Sequence, residues 1–339
     1  MTPADRARQE MPEALCDLVQ APIRWQVVKT AFELKLFDQL TPPDGAAGIA
    51  ERLGLHPVRT GLVLDALAAL SLIRKRSDRY SLSADHAPYL TSTGACYLGD
   101  LLLSMSALRH AGLGTMPEML RADFNQPIPP ALRLDDAARW EKSVASLRAY
   151  HRTLSLPRAI AVLERLPEWP NVRRFLDLGA GSEVLGRHLA ETRPDVETVL
   201  FDLPPSAALI RQALSGLTRG PTVVGGDFNR DDFGAGYDVI WCSMALYYAR
   251  PDIVHLLERI RLGLSPRGVF VSCHEGLSDE RTKPEPHVIG RLMPALRGQD
   301  LSFNQNEIAE AMKRAGFRSV ETARYESPFG IIEVDIARG

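Results

Sequence analysis

Along residues 11–40, apolar side chains recur at helical spacing: Leu15, Leu18, Val19, Ile23, Val27, Val28, Ala31, Leu34 and Leu36. Positions three and four apart share one face of a helix, so the stretch predicts an amphipathic helix, punctuated at 44–48. Two short helical patterns follow, GIAERLGLHP and VRTGLVLDALAALSLI, joined at Leu55-His56-Pro57. The next segment, RKRSDRYSLS, reads as two short strands about a Ser77-Asp78-Arg79 turn. Residues 97–121 and 136–166 are again helical by pattern, and 124–134, with Pro127, Pro129 and Pro130, reads as a loop. From Arg173 the period changes. Apolar runs at 175–176, 198–201, 222–224, 238–242 and 269–273 alternate with helical segments, the pattern of a mostly parallel sheet covered by helices. The last runs, 319–325 and 331–337, are close enough for an antiparallel hairpin.

This pattern gives a three-part chain. Residues 1–95 form a mostly α-helical winged-helix domain, 96–166 a helical linker, and 167–339 a Rossmann-like α/β domain. A winged helix invites a DNA-binding reading, but its second helix offers Arg59 and Asp65 as its only charges among Leu, Val and Ala. A recognition helix needs Arg, Lys, Asn or Gln toward the bases. Packing or dimerisation is the expected role, with a DNA-binding regulator as the lesser alternative.

Composition narrows the partners. The 339 residues carry a formal net charge of -2, so no basic field recruits nucleic acid or an acidic membrane. No apolar run approaches the roughly 20 residues that span a bilayer. The four cysteines, Cys16, Cys96, Cys242 and Cys273, lack metal or disulfide spacing. A cytoplasmic protein without membrane, nucleic-acid or metal partners is expected.

The chemistry concentrates where three strand ends follow one another. Asp177-x-Gly179-x-Gly181 follows the first strand, Asp202 ends the second, and Gly226-Asp227-Phe228 follows the third. In an open parallel sheet, ligands sit outside the carboxyl ends of the strands. Glycines allow close backbone approach, a tip carboxylate accepts ribose hydroxyls, and an acid beside an aromatic can bind and cover an adenine. The helix after the turn begins Ser182-Glu183, which would repel a pyrophosphate. S-adenosylmethionine is therefore expected over NAD.

Together LDLGAG, LFDLP, GDF, GYDVIWCSMALYY, LSPRGVFVSCHE and EIAEAMKRAGF resemble the small-molecule O-methyltransferases with an N-terminal winged-helix dimerisation domain, such as caffeic acid O-methyltransferase. The resemblance runs from about Val19 to Ala337. It implies a homodimeric S-adenosylmethionine-dependent enzyme acting on a small molecule of specialised metabolism. By it Asp177, Gly179 and Gly181 would cradle the methionine part, Asp202 with Leu203 the ribose, and Asp227 with Phe228 the adenine. Ser243 and Met244 would flank the cofactor. Where the family often has a third glycine, this chain has Glu183.

The acceptor side departs from that pattern. The family's His-Asp-Trp, whose histidine is the general base, falls on Tyr247, Tyr248 and Ala249. One of its two orienting glutamates is kept as Glu275; the other falls on Ser302. A neutral tyrosine is a poor base at pH 7. A gap-free count places His151 on a substrate-contacting position, with Ser143 and Leu147 on the same helix face. His151 is the first candidate base, His274 beside Glu275 the second and His287 the third. Adjacent strand residues face opposite ways, so His274 and Glu275 should not both face a pocket. The expected pocket lies between the domains, bounded by Ser143, Leu147 and His151, by Met244, Tyr247 and Tyr248, and by Glu275 and Phe303. Methyl transfer driven mainly by proximity is expected, because the departing sulfide is neutral. Carbon methylation of a keto acid, with or without a metal, or non-methylating use of the bound sulfonium are the alternatives.

Overall fold

The apolar-periodic N-terminal stretch folds as one helix, α1 (Pro3–Glu33). It stops short of residue 40 because Lys35 takes a left-handed conformation, which turns Leu36, Phe37 and Leu40 inward. The computed structural model describes residues 3–125, 127, 137–249 and 252–339. It divides into two units, Met1–Leu103 and Ser104–Gly339. Part of the proline-containing stretch expected to be a loop lies outside the described residues.

In the first unit α1 is followed by strand β1 (Asp44–Gly45) and helices α2 (Ala46–Leu53) and α3 (Pro57–Ala69). Strands β2 (Arg74–Arg76) and β3 (Arg79–Ser81) pair antiparallel, and β1 adds to the outer side of β3. Ser77 and Asp78 both have positive φ, as a two-residue hairpin turn demands. Phe32, Phe37, Leu64, Leu67 and Ile73 form the core. The basic strand β2 is partly neutralised: the Lys75 ammonium lies 2.6 Å from Asp65 and over the Tyr80 ring. The apolar face of α1 bearing Met11, Leu15, Leu18, Val19 and Ile23 is exposed.

Short helix α4 (Ala87–Leu90) and helix α5 (Gly99–Arg109) follow. The helix expected over 97–121 breaks at Gly112, which adopts a left-handed conformation; only a 3₁₀ turn and the short α6 (Met116–Met119) continue it. Helix α7 (Ala137–Tyr150) runs into a π-helical turn at His151–Ser155 and then α8 (Leu156–Leu163).

The sheet of the second unit comprises β4 (Arg174–Leu178), β5 (Glu197–Asp202), β6 (Thr222–Gly225), β7 (Tyr237–Ser243) and β8 (Leu264–Leu277), all parallel. A two-residue strand β9 (Phe303–Asn304) pairs with the end of β8. The closing hairpin β10 (Ser319–Ser327) and β11 (Gly330–Arg338) joins antiparallel, giving the order β10-β11-β8-β7-β4-β5-β6. The helices are α9 (Val184–Thr192), α10 (Pro204–Leu214), α11 (Ile253–Gly263), α12 (Glu285–Leu296) and α13 (Glu307–Arg314).

Alternation along the strands sorts the core onto two faces. Phe175, Val239, Trp241 and Val271 pack with α8 and α9, whereas Leu176, Ile240, Cys242 and Phe270 pack with α11 and α13. Burial of each such large side chain contributes about 1.5–3 kcal/mol. Strand order reverses at β4, which has β5 on one side and β7 on the other. The helical connections diverge there and leave a crevice beyond the carboxyl end of β4. Among the described residues no helix is long and apolar enough to cross a membrane.

Candidate functional site

The loop after β4 is tied down by backbone bonds. The amides of Gly179 and Ala180 both donate to the Phe201 carbonyl of β5, at 2.8 and 3.2 Å. Gly179 has φ of 78°, and a Cβ there would stand 2.6 Å from the Ala245 methyl, so only glycine fits. The Gly181 amide then donates to Asp202 Oδ2 at 2.6 Å, while the Leu203 amide donates to Oδ1 at 2.7 Å. Burial raises the Asp202 carboxyl, and these two amides oppose the rise. Asp177 lies deeper; burial, with Asp202 adding, pushes it up to about 8. Asp177 is thus a neutral acid at pH 7, buried near the end of β4.

A cavity of about 770 Å³ opens above this loop, within the range typical of small-molecule sites. All its lining residues belong to the second unit. Gly179, Gly181, Asp202 and Leu203 line one part, and Asp227, Phe228, Ser243 and Met244 another. Leu147, His151, Tyr247 and Tyr248 complete the set of expected residues that face it. Asp227 is fixed by the Asn229 amide and side chain on one oxygen and by Arg230 on the other. Burial raises its carboxyl, but these donors outweigh it and hold the group below its ordinary value. Met244, with φ of 56°, leaves β7 in a strained conformation of the kind found at functional sites.

The remaining expected residues lie elsewhere. Asp177 is beneath the loop, and Ser143 stands on α7 outside the cavity lining. His274 is completely buried on the α13 side of β8, its Nε2 3.6 Å from Glu333 and 3.7 Å from Asp335. Glu275, its neighbour, projects to the opposite face and lines a separate hollow with Phe303. The expected divergence of these two side chains is the strand alternation at work.

Two local arrangements alter the sequence reading. The carboxylate of Glu183 lies 2.6 Å from Arg148 Nε, so the charge taken to repel a pyrophosphate is paired. That argument against NAD therefore loses its force. Tyr247 stacks on Phe303 with ring centroids 5.2 Å apart, and its hydroxyl accepts the Glu275 backbone N–H. Burial, then the nearby Glu275 charge, raise the phenol well above its ordinary value. Tyr247 is a wall of the cavity and holds its proton at neutral pH.

Among the described residues His151 is the one imidazole in the lining. Its Nδ1 is 2.7 Å from the Ser182 hydroxyl, and its ring lies over Gly181, where a Cβ would come within 3.0 Å of Cε1. Burial first, then Arg158, lower its pKa to about 4, so the ring is neutral at pH 7. Tyr150, Ser206, Asn229, Gln299 and Leu301 also line the cavity and were not anticipated. For Tyr150 the missing signal is the π turn at His151–Ser155, which brings consecutive residues to one cavity; helical periodicity does not anticipate it. Among the described residues no three metal-ligating side chains gather.

Comparison with known proteins follows the same division of the chain. Residues 16–96 match an O-methyltransferase dimerisation domain and 176–270 a methyltransferase domain. The 3-hydroxy-5-methyl-1-naphthoate 3-O-methyltransferase of Streptomyces sahachiroi is 26% identical over 324 residues, covering 94% of this chain and 92% of that protein. The N,N-dimethyltransferase OxyT of Streptomyces rimosus is 28% identical over 342 residues, covering 97% of each. The human N-acetylserotonin methyltransferase, solved in complex with SAM, superposes with a TM-score of 0.77 at 21% identity over 97% of each chain, a likeness of fold. A dimerisation domain followed by a methyltransferase domain, on this sheet and with relatives along the full length, places the chain in the class I S-adenosylmethionine-dependent methyltransferases with an N-terminal O-methyltransferase dimerisation domain.

Proposed function

We propose that the protein transfers a methyl group from S-adenosylmethionine to a small molecule of specialised metabolism, with the cavity above the β4 loop as the reaction site. The observation that carries the reading is the glycine loop clamped to Asp202 beneath a cavity of about 770 Å³. The fit is steric and chemical. Any Cβ at Gly179 would fill the cradle, and each Asp202 oxygen has a lone pair left beyond its amide partner, as a ribose diol requires. Gly179 and Gly181 would hold the methionine part, with Asp177 supporting the loop beneath them. Asp202 and Leu203 would hold the ribose, Asp227 and Phe228 the adenine, and Ser243 and Met244 would flank it.

When bound, the cofactor supplies an electrophilic methyl on a sulfonium, a neutral leaving group once the S–C bond breaks. The chain's residues then have to orient the acceptor and take its proton. Tyr247 and Tyr248 wall the cavity. Leu147, Tyr150 and His151, from the segment 96–166, supply its other side. His151 takes the proton: with Nδ1 engaged by Ser182, Nε2 is the remaining ring nitrogen. A base of such low pKa gives modest assistance, so alignment of the acceptor supplies most of the rate. Two relatives act, by name, on oxygen and nitrogen, so hydroxyl and amine acceptors both suit this reading.

The first unit, residues 1–95 in the sequence reading, serves as the homodimer module. The exposed apolar face of α1, Leu15 through Ile23 among it, lies largely within the matched dimerisation domain. An uncovered stripe of this kind marks a protein contact.

Three experiments test these statements. Incubation with methyl-labelled S-adenosylmethionine and a panel of hydroxylated and aminated aromatics should give acceptor-dependent S-adenosylhomocysteine. Saturable cofactor binding with no transfer to any acceptor would overturn the activity. With an uncharged acceptor, His151→Ala should lower kcat/KM about 100-fold while cofactor affinity stays within about twofold. Because His151 is neutral above its pKa of about 4, its contribution should be flat from about pH 5.5 to 8 and fall only in more acid solution. An unchanged kcat/KM removes it from proton transfer. Light scattering should report a dimer that Leu18→Asp with Ile23→Asp converts to monomer; a monomeric parent protein contradicts the assignment.

A further inference from the structure

Tyr247 borders a second, smaller hollow of about 130 Å³ as well as the main cavity. Arg109 of α5, Glu275 at the end of β8 and His287 of α12 face it. Three features set it apart from ordinary packing.

First, His287 is 5% exposed and neither ring nitrogen makes a hydrogen bond of good geometry among the described residues, the Gly276 backbone being a polar neighbour. Leaving a buried polar group unsatisfied costs about 1–3 kcal/mol, an unusual feature in a native interior. Its Nε2 stands 3.6 Å from Glu275 Oε1, too far for a hydrogen bond. Second, Arg109 has no carboxylate within 4 Å among the described residues, although Glu275 faces the same hollow. Its near neighbours are the Phe329 ring and Gly290, where a Cβ would come within 2.9 Å of Nη2. The other guanidinium at the hollow, Arg291, is already paired with Asp300 at 2.6 Å. Third, the donors outnumber the acceptors: one unpaired guanidinium, one imidazole and one carboxyl converge on space for a few heavy atoms.

Resting on the methyltransferase reading, we propose that this hollow is a carboxylate-binding subsite for the acid end of the methyl acceptor. Arg109 binds the anion, and Glu275 as a neutral acid and His287 as a neutral imidazole donate the remaining hydrogen bonds. An ammonium group is disfavoured beside Arg109, and an apolar group would leave His287 unsatisfied. A hollow of about 130 Å³ has room for the carboxylate and the carbon that carries it, with the rest of the acceptor directed toward Tyr247, which borders both spaces.

Protonation fits the arrangement. Burial raises Glu275 to about 7 against the opposing charges of Arg109 and Arg158. Burial lowers His287 to about 4, with the Arg109 charge adding and the Gly276 backbone opposing. Around Glu275 stand Arg109, Tyr150, Arg158, Tyr247, His287 and Arg291; burial raises both phenols and holds His287 near about 4, so neither tyrosine nor His287 exchanges the proton in its place. An arriving anion therefore raises Glu275 further and binds with proton uptake.

Calorimetry on the full-length protein saturated with S-adenosylhomocysteine tests this, with benzoate and benzamide as probes. Benzoate should bind about ten- to a hundredfold more tightly than benzamide. At pH 8, in buffers of different ionisation enthalpy, it should take up close to one proton, and affinity should fall about tenfold per pH unit above about 7. Arg109→Met should erase the preference for benzoate, Arg109→Lys should keep part of it, and Glu275→Gln should keep binding while losing proton uptake. Equal binding of the two probes, no benzoate binding, or an Arg109→Met variant that still prefers benzoate overturns the proposal. The S-adenosylhomocysteine titration separates the cases. Its failure in the parent protein sinks the methyltransferase reading, whereas its success without benzoate binding sinks this inference alone; in each variant it also reports an intact fold.

Discussion

The site depends on one carboxylate. Asp202 ends β5 and accepts from Gly181 on one oxygen and from Leu203 on the other. Charge-assisted bonds of this kind are short and about twice as strong as neutral ones. They fix the loop after β4 to the tip of the neighbouring strand, and the Gly179 and Ala180 amides add a second tie to Phe201. Without a Cβ at Gly179 the loop can lie against Ala245 after β7. Three adjacent strands are thus joined at the point where strand order reverses, and the cavity forms above that junction. Asp177 lies buried beneath it as a neutral acid, so the carboxylate facing the cavity has no charged rival below.

On the other side of the cavity, one side chain sets the wall. At the position that the resemblance assigns to a basic histidine, Tyr247 has its hydroxyl bound to the Glu275 backbone and its ring against Phe303. It closes the main cavity rather than acting in it. Glu275 faces Arg109 and His287 across a smaller hollow that shares Tyr247 with the main cavity. His151, reaching in from the π-helical turn, is left as the imidazole beside the glycine loop.

Much of this was legible in the sequence because it is local. The strands from Arg174 onward follow from alternating periods, though not their order in the sheet, and β8 is longer than its apolar run because the backbone keeps pairing past the charged residues on either side. The Gly179-to-Gly181 turn and the acids at the strand tips follow from where strands end. Alternation also foretold that His274 and Glu275 would part. What escaped depends on contacts between distant segments or on local irregularity. Glu183 looked like a free charge, yet α7 delivers Arg148 to it. Ser143 was placed by a four-residue spacing that does not bring it to the cavity lining with Leu147 and His151. Strand β9 is two residues long and exists only because β8 offers an edge. The hollow at Arg109, Glu275 and His287 draws on α5, β8 and α12, and no spacing in the chain announces it.

The central claim is that Asp202 both builds the loop and receives the cofactor. Titrating S-adenosylhomocysteine into Asp202→Asn by calorimetry tests it most directly, since the change keeps size and removes one acceptor oxygen and the charge. In a variant that still unfolds cooperatively, Kd should rise at least about tenfold. A Kd within about twofold of the parent protein would contradict the account.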